Sequence, residues 1–212
     1  MKYRLTTYNI FKLRLPYSRQ YVGTLEKHND FLVLQEWTDS LRIADTKYST
    51  TQETFTLPLK KEKTGTATLS SFPPIFENKL LSLSRELGFV THKSAIITAY
   101  EIDRKILTIL NCHALNFVGN SAWKETINYW VTQLPEVGPC VVAGDFNVWN
   151  PGRTDYLRNS LHERGFLYAP YEHSIPLCLD HVWYRDITVT SCLLNDRVHT
   201  SDHYPLTITF DL

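Results

Sequence analysis

The sequence contains little glycine or proline, and it has no long hydrophobic run. Its 212 residues include 8 glycines and 10 prolines, which excludes a collagen-like or low-complexity chain. No segment approaches the roughly 18 consecutive apolar residues that can cross a membrane. The first ten residues lack the continuous apolar centre of a signal peptide, so a cytoplasmic location is expected.

Paired cysteines and net charge are also missing. The four cysteines, at 112, 140, 178 and 192, form no C-x-x-C pair, which argues against a zinc site. Cys112 and Cys140 lie in apolar runs and are expected to be reduced core residues, although the sequence leaves disulfide pairing open. Lys and Arg number 22, as do Asp and Glu. The zero net charge gives no overall attraction to polyanions, but it leaves room for a local basic groove.

The hydrophobic pattern predicts more strands than helices. Runs rich in Val, Ile, Thr and aromatic residues predict strands over 3–10, 30–37, 89–102, 105–114, 140–147, 179–183, 187–194 and 204–212. Apolar residues at three- and four-residue steps predict helices over 121–134, 154–164 and, more weakly, 17–29. The charged stretch 60–65 is expected to be an exposed hairpin turn. No linker divides the chain, so residues 1–212 are expected to form one α/β domain of packed sheets covered by helices.

Polar side chains stand at the ends of several predicted strands, where a core needs none. They are Asn9, Glu36, His113, Asp145, Asn147, Asp180, Asp202 and His203. Carboxylate and amide oxygens suit a hard cation such as Mg²⁺, and histidines beside carboxylates suit proton transfer near neutral pH. No thiol joins the group, which disfavours zinc. Each residue alone is more typical of a turn or a solvated strand end, so the prediction depends on their joint occurrence.

The order of these motifs resembles the endonuclease/exonuclease/phosphatase superfamily. The resemblance is carried by Thr7-Tyr8-Asn9-Ile10, Leu34-Gln35-Glu36, Gly65-Thr66-Ala67-Thr68-Leu69-Ser70, Asn111-Cys112-His113-Ala114-Leu115-Asn116, Ala143-Gly144-Asp145-Phe146-Asn147, Leu179-Asp180-His181-Val182 and Ser201-Asp202-His203-Tyr204-Pro205. The Gly-Asp-Phe-Asn and Ser-Asp-His segments are highly specific in that order. The chain is similar to a bacterial branch, the YafD-like proteins. The resemblance implies a deoxyribonuclease I-like fold, a four-layer α/β sandwich in which helices flank two packed, mixed, largely antiparallel sheets.

The resemblance also implies a metal-dependent phosphoric ester hydrolase. Its metal ion would be Mg²⁺, with Mn²⁺ able to substitute, held by Glu36, Asn9 and Asp202. His203 would be the general base for the attacking water. Asp180 would hold the imidazole in the right tautomer and stabilise its cation.

The remaining roles concern the phosphate group. Asp145 and Asn147, two residues apart on a predicted strand end, would orient water and stabilise the pentacovalent oxygens. His113 and Asn116 would bind non-bridging phosphate oxygens. Lys93 lies where the family often has a basic phosphate contact. Members of the deoxyribonuclease branch pair the histidine matched by His113 with a glutamate, but residues 64–71 contain no acid, so the partner of His113 is left open.

These residues favour a Mg²⁺-dependent phosphodiester hydrolase, and among such enzymes a nuclease acting on DNA or RNA. The alternative within enzymes is a phosphoesterase of a phospholipid, sphingolipid or inositol phosphate. A non-catalytic binding module that retains the fold is disfavoured because no ligand or base is missing. The substrate, endo- or exonucleolytic cleavage, and the oligomeric state stay open. Trp149 is expected either to stack on a base or to pack against the core.

Overall fold

The part of the chain that the structure describes forms two six-stranded sheets and three α-helices. The computed structural model describes residues 1–42, 47–57, 61–86, 91–171 and 178–212. In these residues the strands are β1 (Lys2–Asn9), β2 (Phe31–Thr38), β3 (Tyr48–Leu57), β4 (Glu62–Ser70), β5 (Phe76–Leu81), β6 (Ser94–Ile102), β7 (Lys105–His113), β8 (Cys140–Asp145), β9 (Leu167–Tyr168), β10 (Asp180–Arg185), β11 (Thr188–Leu194) and β12 (Leu206–Asp211). The helices are α1 (Ser18–His28), α2 (Asn120–Val131) and α3 (Pro151–His162), and a short 3-10 turn spans Phe11–Leu13.

Both sheets are mixed and largely antiparallel, as the sequence predicts. The first has the order β11-β12-β1-β2-β4-β3, and the second has the order β5-β6-β7-β8-β10-β9. Only β1 with β2 and β7 with β8 pair in parallel among the described strands. Hydrogen bonds between the sheets, from Asn9 to Asp145 and from Gln35 to Asn111, bring the carboxyl ends of these four strands to one edge.

Three clusters of buried side chains define four layers. The cluster between the sheets includes Phe31 and Val33, whereas Leu32 and Leu34 on the other face of β2 pack with Val22 of α1. A third cluster joins the outer face of the second sheet to α2 and α3. A strand covered on both faces needs a continuous apolar run, which explains the pattern of β2. The order helix, sheet, sheet, helix confirms the predicted four-layer sandwich.

The turn predicted over 60–65 was too long, and three strands were not predicted. Lys61 is an exposed turn residue between the antiparallel strands β3 and β4. Glu62 already belongs to β4, and Gly65 is a buried strand residue rather than part of a turn; residue 60 lies outside the described residues. β3, β4 and β5 escaped prediction because threonine and charged residues replace the usual apolar residues along them. The predicted strand 89–102 begins at Ser94, and its residues 89–90 are not described.

The other outcomes agree with the sequence analysis. The three predicted helices are present, with ends that differ by a few residues. Cys112 and Cys140 are buried and free, and Cys178 and Cys192 are also free. None of the described helices has the length and hydrophobicity required to cross a membrane.

Candidate active site

All the predicted site residues except Asp180 line one cavity at the edge where the parallel strands end. The cavity has a volume of about 470 Å³ and is lined by Asn9, Glu36, Lys93, His113, Asn116, Phe117, Asp145, Asn147, Trp149, Leu179, Asp202 and His203. Strand direction explains the convergence. β1, β7 and β8 deliver Asn9, His113 and Asp145 at their carboxyl ends, and the antiparallel β10 begins at the same edge with Asp180 opposite Asp145.

His203 and Asp180 form a hydrogen-bonded pair. The Nδ1 atom of His203 lies 2.6 Å from Oδ2 of Asp180, which is buried. Burial opposes protonation of the ring, but the Asp180 carboxylate outweighs it and raises the pKa of His203 to about 10. The bond places the Nδ1 proton toward Asp180, so that Nε2 faces the cavity and lies 3.8 Å from Oδ2 of Asp145. This is the arrangement in which a carboxylate orients a histidine for proton transfer.

Asp145 lies at the centre of the polar cluster. Its side chain is buried, and it accepts hydrogen bonds from Nδ2 of Asn9 at 3.1 Å and from the backbone N–H of Asn147 at 3.1 Å. Burial raises the pKa of Asp145 to about 6, although the nearby His203 cation opposes the shift. Protonation of this carboxyl group near neutral pH is a property shared by groups that move protons in catalysis.

Asn147 reaches the site by a different route from the one predicted. β8 ends at Asp145, so the alternation along a strand does not extend to Asn147, whose φ of 51° lies in the left-handed region. Its Nδ2 donates to the carbonyl of Ala114 at 2.9 Å, and its Oδ1 accepts from the indole of Trp149 at 3.1 Å. A non-glycine residue in this conformation indicates strain that the surrounding structure maintains, as often occurs at functional sites.

The structure shows which groups contact His113. Its Nε2 lies 2.7 Å from Nζ of Lys93 and 3.5 Å from Oδ2 of Asp145. Burial and the Lys93 ammonium hold the pKa of His113 well below its usual range, so the ring is neutral at physiological pH. Lys93 immediately precedes β6, in which Ser94 pairs with His113, and this register brings the two side chains together.

Glu86 is a buried carboxylate that the sequence analysis missed. One of its oxygens lies 3.7 Å from Nζ of Lys93, and the other accepts a hydrogen bond from the backbone N–H of Asn116. Glu86 thus fixes both the lysine and the loop that carries Asn116. It lies outside any strand, in an isolated bridge with Thr91, and no sequence motif marks it.

A β-bulge directs Glu36 into the site. In the pairing of β2 with β4, Gln35 lies opposite Thr66 and Trp37 lies opposite Gly65, which leaves Glu36 as the extra residue. Its φ of 52° is left-handed. A Cβ atom on Gly65 would lie 1.8 Å from the carbonyl oxygen of Gln52 in β3. Gly65 is therefore required because three backbones approach closely beside the bulge.

Lys12 is a second residue that the sequence analysis missed. Phe11, Lys12 and Leu13 all have left-handed φ angles, between 47° and 54°. This turn follows Asn9, whose Oδ1 accepts a hydrogen bond from the backbone N–H of Phe11 at 3.1 Å. It places the Lys12 ammonium in an ion pair with the Glu36 carboxylate.

The donor set fits a hard divalent cation. Glu36, Asn9 and Asp202 present carboxylate and amide oxygens to the same cavity, and the Lys12 ammonium shows that a cation can lie against Glu36. Within the described ranges, no three His, Cys, Asp or Glu side chains form a complete metal cage. A complete cage is not required, since a hard divalent cation can bind through one or two carboxylates and keep several waters.

Comparisons with known proteins agree with this fold and site. A sequence profile of the endonuclease/exonuclease/phosphatase family matches residues 6–203. A UPF0294 protein of Photorhabdus laumondii is 28% identical over 226 residues, which cover 98% of this chain and 83% of that protein. A UPF0294 protein of Klebsiella pneumoniae is 30% identical over 221 residues, which cover 99% and 82%. These bacterial relatives confirm the resemblance to the YafD-like branch.

Solved structures share the fold at low sequence identity. The endonuclease/exonuclease/phosphatase from Beutenbergia cavernae superimposes with a TM-score of 0.79 at 15% identity, over 100% of this chain and 72% of that chain. The human Nocturnin catalytic domain with bound sulfate anion gives 0.77 at 19% identity, over 99% and 93%. D. rerio TDP2 complexed with a single-strand DNA product gives 0.69 at 13% identity, over 100% and 99%.

The protein has two packed mixed sheets and a His–Asp pair beside oxygen ligands. These features place it in the class of deoxyribonuclease I-like, metal-dependent phosphoric ester hydrolases. With a profile match over residues 6–203, the chain belongs to the endonuclease/exonuclease/phosphatase family.

Proposed function

We propose that the protein is a Mg²⁺-dependent phosphodiesterase and that it acts as a nuclease on DNA or RNA. The observation that carries the proposal is the 2.6 Å bond between His203 and Asp180, with Nε2 of His203 facing a cavity lined by oxygen ligands. A phosphodiester is an anion and repels hydroxide, so its hydrolysis needs positive charge around the phosphate and a base for water. The cavity supplies both.

Proton transfer is assigned to the His203–Asp180 pair. A divalent cation held by Glu36, Asn9 and Asp202 would oppose protonation of His203. In its neutral form His203 would accept a proton from the attacking water at Nε2, while the Asp180 carboxylate stabilises the resulting imidazolium through Nδ1. Asp145 and Asn147 position the water opposite the leaving oxygen. The water oxygen forms a bond to phosphorus as the bond from phosphorus to the leaving oxygen breaks, in line with the attack.

Charge on the phosphate is balanced by groups on the other side of the cavity. The Lys93 ammonium, held by Glu86, contacts non-bridging oxygens together with His113 and Asn116. Glu36, Asn9 and Asp202 would hold Mg²⁺, for which Mn²⁺ could substitute, and the ion would supply Lewis-acid neutralisation of charge on the phosphate. In the comparison structures, Nocturnin binds a sulfate anion and TDP2 a single-strand DNA product, which supports an anionic, nucleic acid substrate.

Hydrolysis of bis(p-nitrophenyl) phosphate tests the chemistry. We expect turnover with Mg²⁺, no turnover with chelator, and a loss of about 10²–10⁴-fold in kcat for His203→Ala. Asp180→Ala combined with His203→Ala should lose far less than the product of the two separate losses, because the residues act as a unit. His28→Ala changes an exposed histidine outside the cavity and should retain full activity. Strictly multiplicative losses, or metal-independent binding without turnover, would contradict the proposal.

A second function within the same chemistry is hydrolysis of a phospholipid, sphingolipid or inositol phosphate. It is favoured by one observation, the exposed rings of Phe117 and Trp149 beside the cavity, which could enter a lipid surface. A panel of plasmid DNA, single-stranded oligonucleotides, RNA, sphingomyelin and inositol phosphates, run with Mg²⁺ and with Mn²⁺ beside the His203→Ala control, separates the two functions.

A further inference from the structure

A second cavity of about 370 Å³ opens beside the active-site cavity. Glu36, Lys93, His113 and Phe117 line both cavities, so the two cavities adjoin at these residues. The second cavity extends from there along the first sheet as far as Phe55. A substrate that fills both cavities has covalent groups on both sides of the scissile phosphate. A phosphodiester has two such groups, whereas a terminal phosphomonoester has only one.

The charges of the second cavity are complementary to a polyanion. Its cationic side chains are Lys12, Arg14 and Lys93. Its carboxylates, Glu36 and Glu86, are already paired within the wall, with Lys12 and Lys93 respectively. Arg14 is exposed and has no carboxylate partner in the part of the chain that the structure describes. Its guanidinium lies over the ring of Phe11, 5.1 Å from the ring centroid, which leaves its N–H groups able to donate to a phosphate group.

Exposed aromatic side chains border the two cavities. Phe117 is 69% exposed and borders both cavities, while Trp149 is 48% exposed and lines the active-site cavity alone. The Trp149 ring is held in place by its hydrogen bond to Asn147. Exposed aromatic faces beside a positive groove are the features by which proteins bind single-stranded nucleic acid, since each stacked base strengthens binding by about tenfold.

We propose that the second cavity is a subsite for the nucleotide next to the scissile phosphate of a single strand. Arg14 binds the neighbouring phosphate, and the base lies against Phe117 and Phe55. Bases in a duplex are stacked on both faces and cannot reach rings inside a cavity. A lipid surface is less suitable because Phe117 borders a concave, cation-lined groove. The inference rests on the proposed function and extends it to the substrate class.

Binding of a fluorescently labelled, ten-nucleotide single-stranded DNA to the His203→Ala protein, followed by anisotropy, tests the subsite without turnover. Phe117→Ala and Arg14→Gln should each weaken binding by about tenfold. Arg14→Gln should also flatten the salt dependence, by about 0.7 in the slope of log K against log salt for one lost phosphate contact. The control for the ring is Phe76→Ala, because Phe76 is an exposed aromatic residue on β5. The control for the arginine is Arg104→Gln, because Arg104 is exposed and precedes β7 at the end remote from the site. Both variants should bind the oligonucleotide normally.

Kinetics with the catalytic His203 present separate failure of the subsite from failure of the proposed function. Each subsite variant should lose more kcat/KM on the oligonucleotide than on bis(p-nitrophenyl) phosphate. If hydrolysis of the aryl diester depends on His203 while each subsite variant loses the same factor of kcat/KM on both substrates, the subsite is refuted and the hydrolase is supported. Equal affinity for duplex DNA, or Phe117-dependent binding to sphingomyelin vesicles without oligonucleotide binding, would also overturn the subsite. Absence of any His203-dependent hydrolysis would instead refute the proposed function.

Discussion

Arg153 connects the two loops that carry Asn116 and Asn147. It lies in the first turn of α3, and only 3% of its surface is exposed. Its guanidinium donates to the carbonyl oxygens of Asn147 at 2.8 Å and Val118 at 2.7 Å, and at longer distances to those of Leu115 and Asn116. Replacement by alanine should therefore loosen both loops at once.

The size of the effect follows from these bonds. A buried acceptor that loses its partner costs about 1–3 kcal/mol. Counting only the two short bonds, to Asn147 and Val118, and allowing some relaxation toward water, we expect Arg153→Ala to lower the free energy of unfolding by about 4 kcal/mol. Domains are typically stable by about 5–15 kcal/mol, so the variant should still fold. It should also lose activity, because Asn147 is no longer held beside Asp145.

Urea denaturation followed by circular dichroism, together with kcat/KM on the aryl diester, measures both effects. Arg158→Ala is the matched control on the same helix. Arg158 is exposed and forms only a surface ion pair with Asp155 at 3.4 Å, so its loss should cost under about 1 kcal/mol. If Arg153→Ala and Arg158→Ala destabilise the protein equally, or if Arg153→Ala keeps full activity, the reasoning is refuted.

Two further predictions concern the bulge and the pH dependence of stability. Gly65→Ala should destabilise the protein by about 3 kcal/mol and impair activity, because its Cβ would collide with the Gln52 carbonyl. The control is Gly23→Ala, in open space on α1, which should be neutral or stabilising. Equal urea denaturation midpoints for the two variants would contradict the prediction. Since the folded pKa of His203 is raised to about 10, its contribution to metal-free stability is complete below the unfolded pKa of about 6.5 and is lost as the pH rises toward 10. Asp180→Asn should reduce that loss in urea titrations at pH 6 and pH 10, and an unchanged pH dependence would argue against the pair.

Sequence patterns were sufficient to predict a strand wherever it has a regular apolar face or a specific motif at its end. β2, β7 and β8 are apolar along their length because both faces are covered, so their bounds and the polar residues at their ends could be predicted. β3 and β4 could not be predicted in this way. The buried threonines of β4, such as Thr66 and Thr68, form hydrogen bonds with Ser94 and Asn111 in the opposite sheet. No local pattern indicates such partners.

The sequence by itself determined the order of the site motifs along the chain and the identities of the chemical groups, since Asn9, Asp145, Asp180 and His203 belong to motifs near predicted strand ends. Only the tertiary structure decided the orientation and the protonation state of those groups. The bulge that turns Glu36 inward exists because Gly65 and Gln52 meet it from neighbouring strands. The neutral state of His113 depends on its burial and on Lys93 across the β6–β7 pairing, which together lower its pKa. Close packing and electrostatic interaction act between residues that are neighbours in space but distant along the chain, so the order of residues alone does not specify them.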